Sequence, residues 1–378
     1  MKVLKKAELR LWVYGGDVNN FPPNPDYILT KTKLSSETTI VFEIAELIKD
    51  FIEIKFDGDY NTLIQSMWAK YRIERTYVDD TDNTTSTTSD VSYNIAFRGY
   101  GENGDGINPE LSLDLLMSNR VIYKKCGERT SFPFYVQSPE GVVYVEYYQG
   151  AEIITEEEEL ISTSGIYTIA QGMAINPSIE AVVTIDKTGT NTSSSDSSIV
   201  VSQVPINADR VIYTKSDGTT GEIPIVCVEE CKNISHKVSF LNKFGVMQDI
   251  WFTAKRTDSM SSTREQYKRT KLDTSNGITY SKSAHQNVYL ENQGKEKLTM
   301  NTGFIHESYN EVIKQLLVSE YVFTQDKTRR SPTNHSEYLA IPLTLASSDV
   351  GIKTRRNDKL IEYTLEFEAD SDFIQSVR

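Results

Sequence analysis

Arg120-Val121-Ile122-Tyr123 recurs in this chain as Arg210-Val211-Ile212-Tyr213. Each copy runs into a polar turn that carries glycine: Lys124, Lys125, Cys126 and Gly127 in the first, Thr214, Lys215, Ser216, Asp217 and Gly218 in the second. A proline between apolar residues follows in both, Phe132-Pro133-Phe134 and Ile223-Pro224-Ile225. The pattern reads as one strand-turn-strand module used twice, about 90 residues apart. Solenoid repeats have periods of roughly 20 to 50 residues, so this spacing fits a small β-sandwich unit better. A chain that repeats such modules and lacks a catalytic cluster reads as a building block rather than an enzyme.

The composition agrees with that reading. At 378 residues with 38% hydrophobic content, the chain can bury two or three cores. Its 21 tyrosines and 14 phenylalanines, with many threonines and valines, lean towards β-structure. The net charge of −13, from 40 basic and 53 acidic residues, argues against a protein whose main task is to grip phosphate backbones. An acidic surface serves solubility, and it equally suits a channel through which DNA slides without sticking. Cys126, Cys227 and Cys231 form an odd, sparse set that points away from a disulfide framework. Lys5, Lys6, Glu8 and Arg10 interrupt any apolar run near Met1, and no stretch of about 18 apolar residues occurs. Neither export nor membrane spanning is therefore expected.

Outward from the repeat, residues 7–14 alternate towards a strand ending at Gly15-Gly16, and Tyr27 to Leu34 reads as another. Between them, Phe21-Pro22-Pro23-Asn24-Pro25 is held extended or turned by its prolines. From Phe42 to Ile54, Leu47, Ile48, Phe51 and Ile52 share one face at helical spacing, which predicts a short amphipathic helix or, failing that, a buried strand pair. Met67 to Tyr77 and Tyr93 to Gly99 are expected to pair across a polar loop at 79–90. Val142 to Tyr148 is the clearest strand of the middle region, and Gly189 to Ser198 is a polar loop tip or insert. Val238-Ser239-Phe240-Leu241 and Ile250-Trp251-Phe252 flank a hairpin turn whose Gly245 can take positive φ. Residues 255–297 are long, polar and charged; they form either an arm that pairs with another subunit or a twisted, exposed hairpin. Ser308-Tyr309-Asn310-Glu311 carries a capping-box signature for a helix running to about Phe323, with Val312, Ile313, Leu316 and Leu317 on one stripe. Ile361, Tyr363, Leu365 and Phe367 alternate with polar residues in the cleanest strand pattern of the chain.

Few residues invite a chemical reading. Cys227, Cys231 and His236 have unusual spacing for zinc, and on a strand the two cysteines would lie about 13 Å apart. Gly101 to Gly106 lacks the alternating carboxylates of a calcium loop and the Lys-Ser/Thr of a phosphate loop, so it reads as a surface turn. Asp79, Asp80 and Asp82 read as a solvated loop, and Glu156 to Glu159 as like charges best left in water. The histidines, His236, His285, His306 and His335, adjoin no nucleophile signature. A carboxylate pair for glycoside hydrolysis is defined in space, and nothing in the sequence singles out two acids. Arg329-Arg330 and Lys353, Arg355, Arg356 could touch DNA phosphates or an acidic neighbour, although a solvated loop explains them equally simply. No catalytic, cofactor-binding or metal-ligating residues are expected.

Glu230-Cys231-Lys232, followed by Val238-Ser239-Phe240-Leu241-Asn242-Lys243-Phe244-Gly245-Val246-Met247-Gln248-Asp249-Ile250-Trp251-Phe252, resembles the FLNKFG hairpin of a family of tailed-bacteriophage virion structural proteins. The family is known from phages of Bacteroidota and marine bacteria, crAss-like phages among them. Thr302 to Ile313, Asn357 to Phe367, Leu11 to Gly16 and Phe42 to Phe51 fit the same pattern, so the resemblance touches both ends of the chain. It implies a virion component of the tail, neck or baseplate, assembled in the host cytoplasm. Its partners would be further copies of itself in a homo-oligomeric ring, other tail and neck proteins, and non-specifically the genomic DNA in the lumen. No catalytic residues come with it. A strand such as Ile361 to Phe367, if left at a sheet edge, would be suited to pair across the ring interface. The rival function is a receptor- or glycan-binding tail module, for which Tyr147-Tyr148 and Trp68 are mild hints.

The expected architecture is mainly β: tandem β-sandwich-like domains with a few short helices and long extended loops or arms. Residues 1–110 are expected to form an N-terminal β-sandwich-like domain with one short helix. Residues 111–230 hold two related β modules, 111–150 and 199–230, with a polar insert. Residues 231–378 form a C-terminal β domain with the extended arm (255–297) and one helix (308–323).

Overall fold

The computed structural model describes residues 4–15, 22–34, 36–54, 56, 68–81, 83–89, 94–103, 116–126, 131–136, 141–161, 165–170, 182–185, 191–192, 208–215, 218, 220–229, 232–273, 277–280, 282–330, 338–347, 349–352 and 360–371. The fold is mainly β, as the composition suggested, with two helices among the described residues.

The first sheet shows why the N-terminal pattern forms what it does. Strands β1 (Leu4–Gly15), β2 (Tyr27–Thr32), β3 (Trp68–Asp79) and β4 (Thr84–Ser89) pair in the order β2-β1-β3-β4, and β5 (Asn94–Phe97) also pairs with β3. Leu9, Leu11 and Val13 alternate onto one buried face, against Ile48 and Ile52. The helix expected over 42–54 is confined to α1 (Ala45–Lys49), yet its apolar stripe closes this core as the spacing required, with Leu47 and Phe51 half-buried beside it. The expected polar loop at 79–90 is mostly strand: β4 pairs with β3, and only a tight turn separates them. In that turn Asp79 is buried rather than solvated, its Oδ1 accepting from the Thr81 amide at 2.9 Å, the Thr81 hydroxyl at 2.6 Å and the Asn83 amide at 3.0 Å. A run of Thr and Ser looks like a loop by polarity, but β-branched threonine suits an exposed strand.

The second sheet overturns the repeated module. Its strands are β6 (Ile122–Lys125), β8 (Gly141–Gln149), β9 (Glu152–Ile161), β11 (Val182–Ile185), β12 (Asn191–Thr192), β13 (Arg210–Lys215) and β14 (Thr220–Val228), while β7 (Ser131–Val136) pairs separately with β10 (Gly165–Ala170). The second copy of the repeat is the hairpin β13–β14. The first copy is not a hairpin, because β6 lies parallel to β14 and β7 leaves for β10. The two similar tetrapeptides therefore flank the same strand, and Val211, Ile122, Ile223 and Ile225 are all buried there. Cys126 and Cys227 join β6 to β14 in a disulfide, which corrects the reading of the cysteines as unpaired. Of the polar stretch 189–198, only Asn191–Thr192 lies among the described residues, as β12.

The third sheet runs β16-β15-β22-β23-β25-β20-β17, from β15 (His236–Leu241), β16 (Met247–Phe252), β17 (Arg256–Lys268), β20 (Asn287–Asn301), β22 (Val322–Arg330), β23 (Tyr338–Leu345) and β25 (Thr364–Ala369). Shorter pairs are β18 (Leu272–Asp273) with β19 (Thr279–Tyr280), and β21 (Ile305–His306) with β24 (Leu360–Ile361). Helix α2 (Tyr309–Val318) lays Tyr309, Val312, Ile313 and Leu316 on the core formed by Val238, Phe240, Ile250, Phe252, Leu365 and Phe367. Two expectations are corrected here. The helix ends at Val318 rather than Phe323, because Val322 and Phe323 belong to β22. Ser308 makes no side-chain cap; its amide instead donates to His306 Nδ1 at 3.1 Å. The alternating strand at the chain's end is also no edge, since β25 lies between β23 and β20. β25 is paired by β20 on one flank and by β23 on the other, so it has no open edge to offer a partner.

Buried amides stitch residues 116–123 onto the third sheet. Asn242 Nδ2 donates to Leu116 O at 2.8 Å and Gln248 Oε1 at 3.0 Å, and Gln248 Nε2 donates to Asn119 Oδ1 at 2.6 Å. Asn119 Nδ2 donates to the Tyr309 hydroxyl at 3.3 Å, which also accepts the Tyr123 amide at 3.0 Å. Because the amide groups of Asn119, Asn242 and Gln248 all find partners, the network rigidifies the junction instead of destabilising it. Burial raises the Tyr309 phenol well above its ordinary range, so it stays a neutral hydrogen-bonding group.

Candidate functional site

Among the described residues, those that drew a chemical reading do not converge. Cys227 is held by Cys126, Cys231 lies outside the described residues, and the His236 Nδ1 accepts from Arg256 Nη1 at 3.2 Å. His285 uses its carbonyl to accept from Arg269 Nε at 3.0 Å, His306 contacts Ser308, and His335 lies outside the described residues. Among the described residues no three His, Cys, Asp or Glu side chains are grouped to hold a metal ion. Residues 104–106 and 353–356 lie outside the described residues, Arg329 and Arg330 fall in β22, and Glu156 to Glu159 fall in β9. Tyr148 sits within the sheet, its hydroxyl donating to Glu146 at 2.8 Å beneath the Arg210 guanidinium.

What the structure does assemble is an arm. β17 and β20 pair antiparallel from Arg256↔Met300 to Lys268↔Asn287, with a bulge at Glu265/Gln266. β20 is held by β25 only from Lys297 to Asn301. Past that root the two strands continue with no described strand beside them, for about 27 Å from Met260 to Lys268 at 3.4 Å per residue. Of the two outcomes considered for residues 255–297, the described chain takes the exposed hairpin.

Register fixes what the arm displays. Opposed residues share a face, so Arg256 and Asp258 lie on the face where Met300 and Leu298 enter the core. The next positions on that face, Met260, Ser262 and Arg264, run past the end of the core, and beyond the bulge Tyr289 opposes Gln266 there. Met260 is 54% exposed and Tyr289 53%, with the Arg264 guanidinium 5.6 Å from the Tyr289 ring centre. Leu290, at the bulge, is 68% exposed, and towards the tip Ile278 (80%) and Tyr280 (75%) are barer still. Apolar side chains set into solvent on a projection beyond the core are a candidate interaction surface. The sequence marked this segment by its length and polarity alone, with its apolar residues visible there as scattered ones; the register adds that Met260 and Tyr289 share the face of Leu298 and Met300.

Two further groups are buried and charged. Lys237 Nζ lies 3.8 Å from Asp249 Oδ2, while the Ser239 hydroxyl donates to Asp249 Oδ1 at 2.6 Å. Burial lowers the Lys237 ammonium and the Asp249 charge opposes that shift. Lys124, buried in β6, is lowered to about 8 by the same desolvation.

No protein-family model, no curated protein and no solved structure matches the chain. Among the described residues no helix is long and apolar enough to cross a membrane.

Proposed function

We propose that the chain is a structural building block of a tailed-phage particle. It self-associates into a ring or hub in the tail, neck or baseplate, and contacts neighbouring virion proteins around the genome passage. The observation that carries this reading is the arm, a two-stranded projection whose apolar side chains have no core of their own to cover. A closed ring of identical subunits joins one surface of each copy to a different surface of the next, and an arm on a folded body supplies that asymmetry. The resemblance of residues 238–252 to virion proteins points the same way, and the net charge of −13 suits a lumen that DNA must traverse.

The test is the mass in solution of the full chain and of a variant in which residues 262–294 are replaced by Asn-Gly. Ser261 and Lys295 already face each other, and Asn-Gly closes such a pair in a two-residue turn. The full chain is expected to show a ring-sized mass, and the variant to be monomeric with an unchanged melting temperature. A full chain that stays monomeric at every concentration, and has no copy on the axis of particles seen by electron microscopy, would overturn the reading.

A receptor- or glycan-binding module is the second reading, favoured by the exposed tyrosines of the arm, Tyr267, Tyr280 and Tyr289. Such rings carry both an apolar body and a polar tip. Trimers that persist after excision of the arm, together with lost adhesion to host cells, would favour it.

A further inference from the structure

Resting on the reading of the arm as an assembly element, we propose that its partner is a second copy of this chain. The basic distal half of the arm seats on the acidic stripe that the α1 segment turns to solvent. Between residues 264 and 285 the arm carries five basic side chains, Arg264, Lys268, Arg269, Lys271 and Lys282, against two acidic ones, Glu265 and Asp273. It is a positive projection on a chain of net charge −13, so the remainder is more acidic than the whole. Opposite charge on a projecting element and on the body that bears it favours contact between copies.

The stripe is specific in its geometry. Glu46 within α1 and Glu43, Asp50 and Glu53 on its flanks are all exposed, Glu43 accepting the Ala45 amide at 3.2 Å, while Ile48 and Ile52 of the same segment enter the core. The intervening base, Lys49, is turned towards Glu320 at 3.9 Å, and Glu320 also pairs with Arg98 at 3.0 Å, so these two bases are engaged with a carboxylate of their own. Val41, 68% exposed, is tied to β2 by a hydrogen bond of 3.0 Å from Lys31 Nζ to its carbonyl, and Ile28 on β2 is 59% exposed. The rim thus sets exposed acids beside apolar residues, with Lys31 held by the Val41 carbonyl and Lys49 by Glu320, while the arm sets bases beside apolar residues. An arm of about 27 Å reaches beyond its own sheet, so the acceptor belongs to the adjacent copy and the contact is head-to-tail.

The experiment compares the association of four full-length chains by sedimentation equilibrium: the wild type, an arm set (Arg264→Glu, Lys268→Glu, Arg269→Glu), a stripe set (Glu46→Lys, Asp50→Lys, Glu53→Lys) and their combination. All six side chains are exposed, and matching melting temperatures establish that each variant folds. Charge-neutral sets, with glutamine at the same positions, replace any that does not. Either reversal is expected to weaken association at least about tenfold near physiological salt, with the combined set recovering to within about threefold of wild type. High salt should weaken the wild type in the same direction. If the arm set dissociates the assembly and the stripe set leaves it intact, the acceptor assignment falls and the assembly reading stands. If the combined set is as weak as either reversal, the pairing is wrong. A ring that persists in both sets removes the arm from the contact, and a wild type that never associates removes the building-block reading itself.

Discussion

The third sheet has two edges, and the chain treats them in opposite ways. At one edge the hairpin β15–β16 is buried almost throughout, with β6 and β7 packed against β16 and the Asn242–Gln248–Asn119 amides closing its turn. At the other edge β17 is exposed along nearly its whole length. An open edge presents unpaired backbone groups to any passing strand, and proteins ordinarily cover it or guard it with charge. This chain covers one edge with its own middle region and leaves the other extended, guarded by Arg256, Asp258, Arg264, Glu265 and Lys268. Two hairpins adjacent in sequence thus divide the work, one holding the fold together and one reaching away from it.

The same glycine substitution should separate the two hairpins most sharply. Gly245, in the turn of β15–β16, has φ 78°, and an added Cβ would lie 2.5 Å from the Arg98 carbonyl carbon and 2.7 Å from the Gly99 amide. Gly277, near the tip of the arm, has φ 97° and nothing within 4 Å of such a Cβ. Gly245→Ala is expected to cost several kcal/mol, since a left-handed backbone costs roughly 1–2 kcal/mol and the collision is with backbone that cannot yield locally. Gly277→Ala is expected to leave global unfolding in urea within about 1 kcal/mol of wild type, because its strain is confined to an element outside the cores. Equal losses at the two sites would mean that the arm is part of the cooperative unit.

That difference was only partly legible in the sequence. Strands with a buried face announce themselves: Leu9, Leu11 and Val13, and likewise Leu365 and Phe367, alternate because one face meets a core. The helix stripe of Val312, Ile313 and Leu316 was equally plain, but its end was not, since Val322 and Phe323 continue the apolar pattern as a strand. The repeat around Arg120 and Arg210 misled because sequence similarity reports local preference, while the partner of β6 is chosen by a parallel contact far along the chain. Polarity misled at Asp79, whose carboxylate is buried by the turn it organises. The arm was visible as an anomaly of length. Which of its residues share a face needed the register, and the place of Tyr289 depends on a bulge that no residue type announces.

A second contrast lies in the ion pairs. Lys237 and Asp249 sit buried in β15–β16, while Lys297 and Glu368 pair at the root of the arm with their side chains partly in water. Breaking a buried pair leaves an uncompensated charge, so Asp249→Ala is expected to cost about 3–5 kcal/mol in urea unfolding. The double substitution Lys237→Met with Asp249→Leu should recover most of that loss, because it removes both desolvated charges together. The single variant should also regain stability as pH rises. Removing Asp249 takes away the charge that opposes the burial of the ammonium, so the folded chain sheds the Lys237 proton at lower pH than the unfolded chain, whose lysine titrates at about 10.5. A deficit that stays constant between about pH 7 and about pH 10 would show that Lys237 reaches water once its partner is gone.

The smallest effect belongs to the exposed pair, and its sign is fixed. Lys297 donates to Glu368 across β20 and β25, which holds the Glu368 carboxyl below its ordinary 4.5 and the Lys297 ammonium above its ordinary 10.5. A lowered carboxyl contributes stability that is present above pH 4.5 and is lost as pH falls through its folded value. A raised ammonium contributes stability that is present below pH 10.5 and is lost as pH rises through its folded value. Glu368→Gln should therefore lower the melting temperature slightly and evenly between those limits, converge with wild type in stronger acid, and lose its effect in high salt, where exposed pairs are screened. A large, salt-insensitive loss would mean that the root of the arm is shielded from water as the β15–β16 hairpin is, and that the open edge of the sheet begins further out than Lys297.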